Sequence, residues 1–164
     1  MVVVDGSTLI PLAWVGRLEL LHTVFERVET TTEVRDEVLV EGERGTAALE
    51  SFLQDVTVHE TTDDAERLAR LEGVALGDAS VVLLAEEGDA RLLANDRGLI
   101  EVARSRGVDC WWVTTLLLKC VKDGHLSRDE ASDVLYDLVD EGMNLSPKVY
   151  TRVQREFERL DDRE

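Results

Sequence analysis

Short apolar runs alternate with periodic segments of helical length along most of this 164-residue chain. Apolar residues that recur every three to four positions indicate helices, and short apolar runs between turn residues indicate strands. The pattern is tightest after Gly73, where it predicts helix 77–87, strand 91–94, helix 97–106, strand 109–113 and helix 115–123. Repeated strand–helix alternation of this length favours a three-layer α/β/α fold around a mostly parallel central sheet.

The first 72 residues follow the same scheme. The run VVV predicts a short buried strand, and the apolar spacing after it predicts one or two helices. Further along, the sequence predicts a strand near 27–30, a helix that carries Glu37, a helix at 46–53, a strand in VTVHE and a helix at 62–71. These segments extend the parallel sheet predicted for the second half.

The last 40 residues have a different pattern, with two helices and no strand. Ser127 and Glu130 have the spacing of a capping box, which predicts a helix that runs to about Glu141. Ser146 followed by Pro147 predicts the start of a second helix that ends near Leu160. We therefore expect a core domain over 1–124 and a two-helix extension over 125–164 that packs on it.

The chain is strongly acidic, with 35 Asp and Glu against 18 Lys and Arg and a formal net charge of -17. The acidic residues are spread through periodic segments, which favours a folded, halophilic-type surface over a disordered acidic tail. Such a surface repels nucleic acid at low salt, whereas at molar salt the Debye length is about 3 Å and the repulsion is screened. A nucleic-acid substrate must therefore be held by direct contacts and bound metal.

The cysteines and histidines do not form a recognisable metal-binding pattern. Cys110 and Cys120 lie in apolar runs and are expected to be buried free thiols. His22, His59 and His125 are scattered and pair with no cysteine. The sequence shows neither a signal peptide nor an apolar run long enough to span a membrane, so we expect a cytoplasmic protein.

Four acidic residues occur where strands or helices deliver side chains to one edge of the predicted sheet. Asp5 closes the first strand, Asp96 follows the strand RLLAN, Asp78 opens an apolar helix, and Glu37 lies on a short helix. In open α/β sheets, sites form outside the carboxyl ends of the strands. Carboxylates gathered there raise each other's pKa unless a cation neutralises them. The pattern predicts a divalent-metal site and, with it, a hydrolase that acts on phosphodiesters.

Each of these acids also has a purely structural interpretation. Asp5 is suited to a strand end, Asp78 to a helix N-cap, Asp96 to a turn and Glu37 to a solvated surface. Asp36 competes with Glu37, because adjacent residues on a helix point about 100° apart and only one can face the site.

The acidic residues also fall within motifs that resemble those of a known family. The motifs are D-x-S-x-L-I from Asp5, E-V at Glu37, GDASVVLLA at 77–85 and LLANDR at 92–97. In this order they resemble the PIN-domain nucleases, the family of the VapC-type ribonuclease toxins. The stretch from Asp140 to Tyr150 is similar to the tail of a subfamily with a helical extension.

This resemblance implies a function, a cofactor and partners. Asp5, Asp78 and Asp96 are expected to hold Mg²⁺ or Mn²⁺ as hard oxygen ligands, and Glu37 to complete the site or orient the attacking water. The implied substrate is RNA, and the implied partners are an antitoxin protein and a second copy of the chain in a homodimer. Ala94 departs from the family pattern, which often has Thr there.

Three further residues are expected near the substrate or beside the metal ligands: Ser7, Asn95 and Ser80. Ser7 has a structural alternative, the capping of the first helix. Trp14, Trp111 and Trp112 are candidates for stacking on bases. Because Trp111 and Trp112 are neighbours on a predicted strand, we expect one to face the core and the other to be available for a subunit interface.

Two alternative functions compete with a metal-dependent ribonuclease. One is a catalytically weak PIN-like module that binds RNA or protein within an RNA-processing assembly. The other is a receiver-type α/β domain that uses an acidic pocket for Mg²⁺ and phosphorylation. A receiver needs an Asp at the end of a central strand, and no matching residue stands out; this alternative rests on fold analogy alone.

Overall fold

The computed structural model describes residues 1–162, which form a five-stranded sheet in the order β3-β2-β1-β4-β5. The strands are β1 (Val2–Val4), β2 (Val28–Thr31), β3 (Thr57–His59), β4 (Arg91–Leu93) and β5 (Cys110–Trp111). Each pairing between these strands is parallel. The predicted α/β fold is confirmed.

Helices cover both faces of this sheet. They are α1 (Gly6–Trp14), α2 (Glu19–Val24), α3 (Thr32–Val38), α4 (Thr46–Leu53), α5 (Asp63–Glu72), α6 (Leu76–Glu87), α7 (Arg97–Ser105), α8 (Val113–Lys122), α9 (Arg128–Asp140) and α10 (Pro147–Asp161). Successive side chains of a strand point to opposite faces, and all three valines of β1 are fully buried. The central strand is therefore covered on both sides, as a three-layer fold requires.

The strand order separates this fold from receiver-type domains. Flavodoxin-like sheets, which include receivers, have the order 2-1-3-4-5, whereas this sheet runs 3-2-1-4-5. The receiver alternative is therefore wrong. In the observed order the direction of winding reverses between β1 and β4, and such a switch point is where open α/β sheets place their ligands.

Most element boundaries agree with the sequence within one or two residues, and β5 is the main exception. The predicted strand 109–113 is reduced to two residues, and Trp112 is already the N-cap of α8. Trp111 and Trp112 are both half-buried and pack against the core. Both tryptophans therefore contact the core, and the availability of one of them for a subunit interface stays a prediction.

Two further expectations can be compared with the described residues. Cys110 and Cys120 are buried free thiols, as predicted. Within residues 1–162, no helix combines the length and the apolar character that a membrane crossing needs.

The C-terminal helices begin as the sequence predicts and pack closely on the rest of the chain. Ser127 and Glu130 form both hydrogen bonds of a capping box, and Ser146 caps α10 with Pro147 at its first position. Helices α9 and α10 both pack on α8 and on each other. Phe157 of α10 is fully buried. The boundary at residue 124 stays a prediction.

We expect Phe157→Ala to lower the free energy of unfolding by about 3–5 kcal/mol, because it leaves a cavity under α10. Tyr136→Ala is the control, since Tyr136 on α9 is 61% exposed and its loss should change stability by less than about 0.5 kcal/mol. Chemical denaturation measures both. Equal effects of the two substitutions would contradict the packing described for α10.

Candidate active site

A cavity of about 440 Å³ opens at the carboxyl edge of β1 and β4, and all four predicted acids line it. Val4 of β1 pairs with Leu93 of β4, so the residues that follow the two strands emerge side by side. The walls comprise Asp5, Gly6, Ser7, Ile10, Pro11, Trp14, Val34, Glu37, Asp78, Asn95, Asp96, Leu138, Glu141, Gly142, Met143 and Asn144. Four separate segments of the chain thus contribute the predicted carboxylates to one space.

Asp5 is held in place by Ser7. The Asp5 side chain is only 4% exposed, and the Ser7 hydroxyl lies 2.8 Å and 2.9 Å from its two oxygens. The same hydroxyl accepts the backbone N–H of Asn95 at 2.8 Å. Ser7 lies inside α1 and does not cap it, so the capping alternative is wrong. Its hydroxyl links the end of β1 to the residues that follow β4.

Asp96 and Asp78 occupy different positions at the starts of their helices. Asp96 is the N-cap of α7, and one of its oxygens accepts the backbone N–H of Leu99 at 3.0 Å. Its cap role leaves the second oxygen for another ligand. Asp78 lies in the first turn of α6, whose N-cap is Ala75, so the N-cap alternative for Asp78 is wrong.

The structure brings Glu37, and not Asp36, to the cavity. Asp36 is largely exposed and pairs with Arg35 at 3.2 Å. A Cβ on Gly77 would lie 2.9 Å from Oε2 of Glu37, which places this carboxylate directly over the start of α6 and beside Asp78. A side chain at position 77 would therefore force the Glu37 carboxylate to shift from this position.

Asn95 lines the cavity as expected, but Ser80 does not. Ser80 is buried one turn into α6, where its hydroxyl lies 2.7 Å from the Gly77 carbonyl and 2.8 Å from the Thr31 hydroxyl. These two bonds occupy the hydroxyl and Ser80 lies outside the cavity, so the expected contact with substrate is wrong, whereas a supporting role beside the metal ligands stays a prediction. Ser80 instead fixes the turn that presents Asp78.

The acids of the cavity influence each other electrostatically. Burial, mainly, and the charges of Asp78 and Asp96 together raise the pKa of the Asp5 carboxyl to about 7, against the hydrogen bonds from Ser7, which lower it. Burial also raises the pKa of Asp78, with added contributions from Asp96 and Glu37. The ion pairs of residues 1–162 involve none of these four carboxylates. No basic side chain within residues 1–162 therefore neutralises them through an ion pair.

This donor set fits a hard divalent cation, because all the candidate ligands are carboxylate oxygens. Among residues 1–162, no three acidic, histidine or cysteine side chains stand close enough together to form a ready-made metal site. Asp5, Asp78 and Asp96 nevertheless line one cavity, and a cation placed there would offset the repulsion between their charges.

Beside Trp14, which lines the cavity, lie two residues that the sequence did not single out, Arg44 and the wall residue Glu141. Trp14 of α1 donates its indole N–H to the Arg44 carbonyl at 3.2 Å, and the Arg44 guanidinium lies 5.3 Å from the Trp14 ring centre. Arg44 also forms a two-bond ion pair with Glu141 at the end of α9. The spacing of these residues along the chain carries no periodic signal, so only the tertiary structure brings them together.

Comparison with known proteins agrees with this geometry. The fold and the acidic edge define a protein of the α/β class with a carboxylate site at the switch point of its sheet. The sequence model of the PIN domain matches residues 1–159, and the chain belongs to the PIN domain family. The resemblance to this family is confirmed, whereas the narrower VapC-type assignment stays a prediction.

A solved structure supports the fold independently. The chain is similar to the crystal structure of PAE2754 from Pyrobaculum aerophilum, with 24% sequence identity and a TM-score of 0.53. The match covers 72% of this chain and 94% of that one. At this identity the likeness concerns the fold alone. Among curated proteins, none matches this chain.

The pKa of Asp5 predicts how stability depends on pH without metal. The folded-state pKa of about 7 lies above the ordinary 3.8, so the contribution of this group to stability is present below about pH 4 and is lost as the pH rises through 7. We expect Asp5→Asn to raise the free energy of unfolding above pH 7, by roughly 2–4 kcal/mol, and to leave it unchanged below pH 4. Denaturation at several pH values, with chelator present, measures this.

Asp36→Asn is the control for this series, because Asp36 lies outside the cavity and is largely exposed. We expect it to change stability little at any of these pH values. A lower stability of Asp5→Asn than of the wild type at pH 8 would contradict the account.

Proposed function

We propose that this chain is a metal-dependent endoribonuclease that cleaves RNA phosphodiesters with Mg²⁺ or Mn²⁺. PIN domains are generally nucleases, and those nucleases typically use divalent metals. The observation that carries the proposal is the acidic cavity: Asp5, Glu37, Asp78 and Asp96 share one space at the switch point of the sheet, and no basic side chain of residues 1–162 pairs with them. A structural role alone does not explain this arrangement.

The four carboxylates have distinct parts in this proposal. Asp5, Asp78 and Asp96 hold the ion, and Ser7 keeps the Asp5 carboxylate oriented. A bound divalent ion supplies charge stabilisation at the phosphorus and the leaving oxygen and lowers the pKa of a water. Glu37 reaches the cavity from α3, on a different side from Asp5, and orients the attacking water.

The surface charge determines the conditions under which RNA can approach. With a net charge of -17, the chain repels polyphosphate at low ionic strength. At about 1 M KCl the screening length falls to roughly 3 Å, so the repulsion between this acidic surface and RNA is largely screened. We therefore propose that cleavage requires high salt, in line with a halophilic-type surface.

We expect the wild-type chain to cleave single-stranded RNA in about 1 M KCl with Mn²⁺ or Mg²⁺, and to leave it intact with chelator. Asp5→Asn and Asp96→Asn should each lower the rate at least about 100-fold, because loss of even an outer partner of a metal ligand costs 10–100-fold. Ser7→Ala should lower it about 10–100-fold for that reason. Gel analysis of labelled RNA measures these rates.

Asp36→Asn serves as the matched control, because it removes an acid next to Glu37 that does not line the cavity. We expect it to retain the wild-type rate, whereas Glu37→Gln loses activity. Intact RNA with the wild-type chain and both metals would count against the nuclease function. RNA binding by the wild-type chain without any cleavage, unchanged in Asp5→Asn and Asp96→Asn, would instead favour the binding-module alternative.

We further propose that the protein is the toxin of a toxin–antitoxin pair and acts as a homodimer. The support for both proposals is the resemblance to VapC-type toxins carried by the motifs at Asp5, 77–85 and 92–97. Sedimentation analysis at high salt tests the dimer. A growth arrest on expression that a neighbouring reading frame relieves tests the toxin role.

A further inference from the structure

A second cavity, of about 490 Å³, adjoins the acidic cavity. Its walls are formed by Asn95, Arg97, Trp112, Thr114, Asn144, Leu145, Ser146 and Val149. Asn95 and Asn144 line both cavities, so the two share a wall. The volume lies within the range of pockets that bind small molecules, roughly 300–1,000 Å³. A ligand held here lies directly beside the proposed site of cleavage.

The side chains of this second cavity suit a nucleobase. Trp112 is half-buried at the start of α8 and presents an aromatic side chain to the space. Single-stranded nucleic acid is typically held by bases that stack on aromatic residues and form hydrogen bonds along their edges. Asn95 and Asn144 carry amides that can both donate and accept such bonds, and Thr114 and Ser146 carry hydroxyls.

Arg97 supplies the positive charge of this cavity, one residue after Asp96. Its side chain is 85% exposed and pairs at 3.2 Å with Glu101, which is 66% exposed. Ion pairs this exposed contribute little, so the guanidinium can exchange Glu101 for a phosphate at small cost. Arginine binds phosphate through two parallel hydrogen bonds. A phosphate on Arg97 would be a near neighbour of the acidic cavity.

We propose that this second cavity binds one unstacked nucleotide of a single-stranded RNA, with the base on Trp112 and a flanking phosphate on Arg97. This inference rests on the proposed ribonuclease function and names its substrate class. Bases in an A-form duplex are stacked and paired, so only an unpaired base can enter this cavity and stack on Trp112. The enzyme therefore selects single-stranded segments.

The C-terminal helices gain a functional role from this arrangement. Asn144, Leu145 and Ser146 lie in the turn between α9 and α10, and they form one wall of the second cavity. The same turn contributes Gly142 and Met143 to the acidic cavity. The extension thus forms part of the substrate-binding surface in addition to packing on α8.

The test measures binding of a labelled single-stranded oligoribonucleotide of about eight nucleotides in about 1 M KCl with Mn²⁺. All variants are built in the full chain carrying Asp5→Asn, so that cleavage does not interfere. We expect Trp112→Leu to raise the Kd about tenfold, the loss typical of one stacked base. Arg97→Gln should raise the Kd several-fold, and Trp112→Phe, which keeps an aromatic ring, should stay near the parent value.

A hairpin duplex of matched sequence should bind about tenfold more weakly than the single strand.

Two neighbouring residues provide matched controls. Trp111→Leu removes the same side chain one position earlier, and Trp111 lies outside this cavity. Arg104→Gln removes an exposed guanidinium from the same helix as Arg97. Both should retain the parent Kd. Thermal melts show whether Trp112→Leu is folded. If it is not, the Kd of Arg97→Gln is compared with that of Arg104→Gln, and a higher Kd for Arg97→Gln alone supports the nucleotide site.

The outcomes separate this inference from the nuclease function. Suppose that the wild-type chain cleaves RNA, but Trp112→Leu and Trp111→Leu have the same Kd for the oligoribonucleotide, or the duplex binds as tightly as the single strand. The nucleotide site is then overturned and the nuclease function stands. If RNA stays intact with the wild-type chain but Trp112→Leu and Arg97→Gln alone weaken binding, the nucleotide site stands and the nuclease function fails.

Discussion

The parallel pairing of β1 with β4 is the interaction on which the acidic cavity depends. Because Val4 pairs with Leu93, the chain leaves both strands at the same height, and Asp5 emerges beside Asn95. The Ser7 hydroxyl then joins the two exits by binding the Asp5 carboxylate and the Asn95 N–H. A shift of one residue in this register would turn Asp5 to the other face and separate it from Asp96.

Gathering carboxylates in this cavity lowers the free energy of unfolding, because buried and neighbouring negative charges are unfavourable. Burial, with smaller contributions from the charges of Asp78 and Asp96, raises the pKa of Asp5 to about 7, and burial and acidic neighbours also raise the pKa of Asp78. Proteins commonly retain such destabilising groups at functional sites and offset them with packing elsewhere. Here the packing is the apolar core that covers both faces of β1, together with helices α8, α9 and α10 on one side.

The sequence allowed the acidic edge to be predicted because strand ends have a local signature. An apolar run that stops at an acidic residue, as in VVVD and RLLAND, locates the side chain at the end of a strand whatever the neighbouring strands are. The capping signals at Ser127 and Ser146 are local in the same way and were confirmed. The strand order could not be obtained from such signals, since it depends on which strands pair.

Other features depended on tertiary contacts and were missed or wrong. Ser80 follows Asp78 by two residues, but helix geometry turns its hydroxyl back onto Gly77 and away from the cavity. The contact between Arg44 and Glu141 joins residues 97 positions apart, a separation that no periodic pattern reveals. The second cavity likewise combines Trp112 with a turn more than 30 residues later, so its existence followed only from the fold.

The central claim is that the four carboxylates are gathered to hold a divalent cation, and calorimetric titration of the metal-free chain with Mn²⁺ tests it most directly. In about 1 M KCl we expect saturable binding at pH 8 that Asp78→Asn weakens strongly. At pH 6, in buffers of different ionisation heat, binding should release close to one proton per chain, because the Asp5 carboxyl with a pKa of about 7 must ionise to coordinate the metal. Absence of saturable binding at pH 8, or equal binding by the wild type and Asp78→Asn, would contradict the account.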